Sequence, residues 1–65
     1  MKITYKNCTI ECFREDYYLY YSVFDKENGF EVASGFSDSE DTIQREINSF
    51  KKMVDDYREH PECYR

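Results

Sequence analysis

Three cysteines and one histidine offer the most reactive chemistry in this 65-residue chain. By donor type alone, Cys8, Cys12, His60 and Cys63 could make a tetrahedral zinc set. Their spacing argues otherwise. Zinc takes cysteine pairs from a turn or knuckle, whereas Cys8 and Cys12 fall on a segment whose alternation reads as extended. At ~3.3 Å per residue their α-carbons lie ~13 Å apart, too far for one ion. Both fit better as small apolar core residues. A Cys63/His60 nucleophile pair fails on position, because both residues flank Pro61 beyond a helix end, where nothing fixes their mutual geometry. The two glycines make no phosphate cradle: Gly29 belongs to a turn, and Gly35 leaves room for an aromatic leaning over from the neighbouring strand. The sequence therefore predicts no catalytic residue, no metal and no cofactor, and the chain does not read as an enzyme.

Two other sets of residues suit binding. The acids Asp55, Asp56 and Glu59, with Glu62 beyond them, could mimic phosphates or hold calcium. Lys51–Asp55 and Lys52–Asp56 are spaced as ordinary i,i+4 surface pairs, so a solvated helix face is the simpler account. The second set is aromatic. Seven tyrosines and five phenylalanines are more rings than one small core encloses. Phe13, Tyr18, Tyr20 and Phe24 are the ones left over when the strands are laid out.

That layout follows from the turns. Lys6-Asn7, Glu15-Asp16 and Asn28-Gly29 each suit a two-residue hairpin connection, Asn-Gly being the strongest such signal. They predict an α+β fold: a four-strand antiparallel meander over about 2–5, 8–14, 17–24 and 30–36. The first turn sets Tyr5 opposite Cys8 and Ile3 opposite Ile10. The second sets Cys12 opposite Leu19 and Phe13 opposite Tyr18. The third sets Tyr21 opposite Phe36 and Phe24 opposite Ala33. All three sort the sheet alike. One face takes Ile3, Ile10, Cys12, Leu19, Val23 and Phe36; the other takes Phe13, Tyr18, Tyr20, Phe24, Ala33 and Gly35. A single helix over about 38–59 follows, with Ser37 and Glu40 as a capping box and Asp38, Glu40 and Asp41 at its positive end. Ile43, Ile47, Phe50, Val54 and Tyr57 recur as its apolar stripe, and Pro61 opens a short tail over 60–65. One helix covers only one face, so the aromatic strip is expected in the open.

Charge narrows the partners. A formal net charge of −5 makes direct nucleic-acid binding unfavourable and suits a basic protein surface. An odd cysteine count, with no apolar leader or membrane-length run, predicts a cytoplasmic protein free of membranes.

Over Lys2-Ile3-Thr4-Tyr5-Lys6-Asn7-Cys8-Thr9-Ile10-Glu11, and again over Gly29–Ser49, the chain resembles short prophage and mobile-element proteins of Gram-positive bacteria. In overall pattern it is also similar to the small acidic anti-CRISPR proteins, which act by binding a nuclease complex. The strand-then-helix order resembles the partial double-stranded-RNA-binding fold of HicB-type antitoxins too, without their Pro-Gly-Cys loop or DNA-binding tail. The resemblance implies an accessory protein that works by binding another protein, and it carries over no functional residue. The expected working surface is the strip Phe13, Tyr18, Tyr20 and Phe24, or the acidic helix. The alternative is a self-associating module whose strip is buried in a homodimer.

Overall fold

A computed structural model describes residues 1–64. Four strands, β1 (Lys2–Tyr5), β2 (Cys8–Glu15), β3 (Tyr18–Asp25) and β4 (Glu31–Ser37), form one antiparallel sheet in the order β1-β2-β3-β4. The helix α1 (Ile43–Glu59) follows, then a 3-10 turn at Pro61–Cys63. This is the expected α+β meander with one C-terminal helix. Among the described residues, no helix is long and apolar enough to cross a membrane.

The first hairpin has the expected register, with Ile3 opposite Ile10 and Tyr5 opposite Cys8. Lys6 and Asn7 both take positive φ, which a two-residue turn of this hand requires. The second hairpin corrects the sequence reading by two residues. Its turn is Asp16-Tyr17, with Asp16 at φ 55°, so Cys12 faces Tyr21 and Phe13 faces Tyr20. A slip of two keeps every side chain on its face.

The third hairpin slips by one, and a slip of one does not keep the faces. Asn28-Gly29 is only the second half of a longer loop: the Asp25 amide donates to the Phe30 carbonyl and the Gly29 amide to that of Asp25, both at 2.8 Å. A bulge at Val23/Phe24 takes up the difference, and Tyr21 then faces Gly35 while Tyr20 faces Phe36. Ala33 and Gly35 therefore lie on the helix side, and Phe36 lies on the open side, the reverse of the expected placement. The core explains the exchange. Tyr21 packs at a tilt against Phe50 at 4.9 Å, and its hydroxyl lies 3.2 Å from where a Gly35 β-carbon would stand. A phenylalanine inside would have no room there.

The helix begins at Ile43, not at 38. Ser37 Oγ accepts from the Ser39 amide and Ser39 Oγ from the Asp41 amide, two successive side-chain turns that compete with helix. Thr42 is the cap, its hydroxyl accepting from the Arg45 amide at 3.2 Å. From there the stripe lies as expected. Ile47, Phe50, Val54 and Tyr57 are buried against Cys8, Ile10, Cys12, Leu19 and Val23.

Candidate functional site

The sheet's second face carries a row of rings that crosses three strands. Phe13 on β2 stacks on Tyr20 on β3 at 5.5 Å and 19°. Tyr20 meets Phe36 on β4 at 6.0 Å, and Tyr18 meets Phe36 edge-on at 5.2 Å. Register places Phe13, Tyr20 and Phe36 side by side. Phe13 and Tyr18 are each 42% exposed and Phe36 is 63% exposed, while Tyr20 is half-buried between its neighbours. Of the expected strip, Phe13, Tyr18 and Tyr20 come together. Phe24 does not join them. It shares their face but sits opposite Thr9 and Glu31, half-buried, and among the described residues makes no ring contact with the other three. Phe36 takes its place. An exposed aromatic cluster of this kind, with Glu11 and Glu15 on the adjacent strand, has the anatomy of a binding surface.

The acidic helix is a weaker surface than its sequence suggests. Asp55 is tied to the sheet, accepting from Lys6 Nζ at 2.6 Å and from the Tyr5 hydroxyl at 2.9 Å. Those two bonds, that to Lys6 first, hold its carboxyl below the usual carboxylate range. Asp56 accepts from the Tyr64 hydroxyl at 2.6 Å, and Glu59 lies 3.9 Å from His60. The expected Lys51–Asp55 pairing gives way to Lys6, and the Lys51 ammonium sits 5.6 Å from the Tyr5 ring instead. Asp55 and Asp56 thus serve the fold as braces.

A second constellation went unread in the sequence. Asp25 is 1% exposed at the end of β3. Its carboxylate accepts from Arg58 Nη1 at 2.9 Å, Arg58 Nη2 at 3.3 Å, the Tyr57 hydroxyl at 2.8 Å and the Glu27 amide at 2.9 Å. Arg58 also donates to the Lys6 carbonyl at 2.9 Å and to Cys8 Sγ at 3.4 Å. Parity was the available signal: the alternation that turns Leu19, Tyr21 and Val23 inward turns Asp25 inward too, and a buried carboxylate needs a cation. Burial alone would raise the Asp25 pKa. The bond from Arg58, then those from the Glu27 amide and Tyr57, overcome it and bring the pKa from 3.8 to about 2. A carboxylate that ionised and that saturated is too weak a base for proton transfer near neutrality. It works as a clamp between helix and sheet. The recess beside it, about 270 Å³ between Glu27, Asn28 and Pro61, has a floor whose polar groups already bond to one another.

The clamp makes a pH prediction. The folded-state pKa lies below the ordinary value, so the stability it contributes is fully present above about pH 4. It is lost as pH falls through about 2. At most about 2 kcal/mol should go this way, read as a falling urea midpoint between pH 5 and pH 2.

Cys8 and Cys12 lie in the core, where burial pushes both thiols up, and Cys63 is exposed beyond the helix. Among the described residues, no three His, Cys, Asp or Glu side chains group as metal ligands.

No protein-family model matches the chain, and no curated protein or solved structure matches it either.

Proposed function

We propose that this is a small acidic accessory protein that acts by binding another protein, with the row Phe13–Tyr20–Phe36 and the adjoining Tyr18 as its anchor. The observation that carries the reading is the row itself. Four rings in mutual contact lie on the sheet face opposite the helix, and three of them are well exposed. Aromatic side chains dominate interface hot spots because they bury much area at little entropic cost. The net charge of −5 suits a partner with a basic surface. The sequence resemblance supports an origin among phage and mobile-element proteins, with a role as inhibitor or adaptor in the cytoplasm.

The test is capture from a Gram-positive lysate, comparing the protein with its Tyr20→Ser/Phe36→Ser variant at matched circular dichroism. A partner held by the first and bound at least ~30-fold more weakly by the second is expected, one hot spot being worth about 2 kcal/mol. Unchanged capture would remove the row from the interface. Sedimentation at micromolar concentration covers the homodimer reading: a dimer that the double substitution dissociates would make the strip a subunit interface.

A further inference from the structure

The aromatic row ends at an open sheet edge, and that edge is chemically unlike the other one. β1 is four residues long, with Lys2 at its start and Lys6 just past its end, the charged and short design that keeps an edge from pairing. β4 is seven residues long, pairs among the described residues on one side only, and carries no charge from Val32 to Ser37. The helix lies across β2, and Ser34, Gly35 and Phe36 are all exposed. Phe36, the most exposed ring of the row, stands on this last strand with Tyr20 on one side and, among the described residues, no paired strand on the other. Exposed acids bracket the neutral stretch: Glu31 at its start, Asp38 and Glu40 just past its end.

From this we infer that β4 accepts a fifth strand from the protein partner. The added segment is extended and uncharged in the middle, carries an aromatic or β-branched residue to meet Phe36, and has Lys or Arg at both ends to face Glu31 and Asp38. Main-chain bonds to the edge supply affinity, and the ring contact and terminal cations supply choice. A second copy of this chain fits the same edge poorly. Antiparallel pairing about Ser34 sets Glu31 of one copy opposite Ser37 of the other, one residue from its Asp38, at both ends, in chains that already carry −5 each. The inference deepens the binding reading given above and rests on it.

The probe is a synthetic decapeptide of alternating valine and threonine around one tyrosine, with two arginines at each end. Its counterpart ends in glutamates. Titrated into isotope-labelled protein, the arginine-ended peptide is expected to bind at least ~tenfold more tightly, since several favourable ion pairs become unfavourable ones. It is expected to slow hydrogen exchange about tenfold at alternate amides of residues 31–37, the signature of a one-sided ladder. Glu31→Lys/Asp38→Lys should reverse the preference between peptides, and Ser34→Lys should weaken the arginine-ended one. Equal binding of the two peptides, binding without protection in β4, or no binding overturns the inference. So does protection that appears on raising the protein concentration without peptide, which would identify a second copy as the occupant. Repeating the titration in Phe13→Ser separates the two proposals, because Phe13 lies on β2, away from the edge. Protection retained there, with partner capture by Phe13→Ser unimpaired, would sink the ring-row reading alone. Shifts at Phe13 and Tyr20 with an unprotected β4 would sink the edge alone.

Discussion

Replacing Asp25 with alanine is expected to leave much of the chain unfolded at neutral pH. The substitution strands the Arg58 guanidinium, whose side chain is 29% exposed, beside the emptied site of a carboxylate that accepted four hydrogen bonds. Removing one partner of a buried ion pair costs about 3–5 kcal/mol, because the other charge stays behind without its counterion. A chain of 65 residues has roughly 3–10 kcal/mol in total. The loss is therefore of the same order as the whole stability. Urea titration followed by circular dichroism would show it as a transition moved to or below zero denaturant. A change under ~1 kcal/mol would mean that Asp25 is not the clamp described. Asp25→Asn with Arg58→Met is the informative companion. Removing both charges at once should restore most of the loss, since no buried charge is then left without its counterion.

Gly35→Val should cost about 2–4 kcal/mol, from two sources that can be separated. The backbone there has φ +148°, which side chains with a β-carbon rarely adopt, and holding one in such a conformation costs about 1–3 kcal/mol. The new β-carbon would also lie 3.2 Å from the Tyr21 hydroxyl and 3.5 Å from the ring carbon that bears it. Crowding of that kind costs about 1–3 kcal/mol in a filled core, and the low end applies here because Gly35 is exposed and Tyr21 only half-buried. Tyr21→Phe removes the nearer atom, so the double variant should recover the crowding part and leave the backbone part. Equal losses in the single and double variants would place the whole cost in the backbone. Thermal or urea midpoints of the four proteins are sufficient to tell.

Most of the architecture was legible because it depends on periodicity. The alternation of β1 to β3 and the 3–4 stripe of α1 each point to one buried face, and both faces were found. What failed depended on counting through loops. The Asp16-Tyr17 turn came one residue later than expected and shifted the register by two, which was harmless because side chains repeat with period two. The β3–β4 loop differed by one, and one residue reverses a strand. That slip exchanged Phe36 with Gly35 and gave the aromatic row a different fourth member, Phe36 in place of Phe24. The bulge behind it leaves no local mark, since it is decided by the space Tyr21 and Phe50 leave on β4. The helix start was misread for a related reason. Serine and acid residues over 37–41 have the chemistry of a helix cap, and the same hydroxyls close two tight turns instead. Asp25 was legible by parity alone, but its partner lies in the helix, and nothing local joins the two.

The sites where α1 meets the sheet also bear on how the chain assembles in time. Arg58 reaches Asp25 across 33 positions and the Lys6 carbonyl across 52, and Tyr5 reaches Asp55 across 50. The hairpins, by contrast, close over short turns. Loop-closure entropy therefore falls mainly on helix docking, which makes docking the late event and leaves its contacts little formed at the rate-limiting barrier. Mild substitutions at that junction, such as Tyr57→Phe, should speed unfolding and barely slow refolding in a chevron experiment. Conservative changes in the β2–β3 hairpin should do the opposite. The clamp on Asp25 acts mainly on how long the native state lasts, and much less on how quickly it is reached.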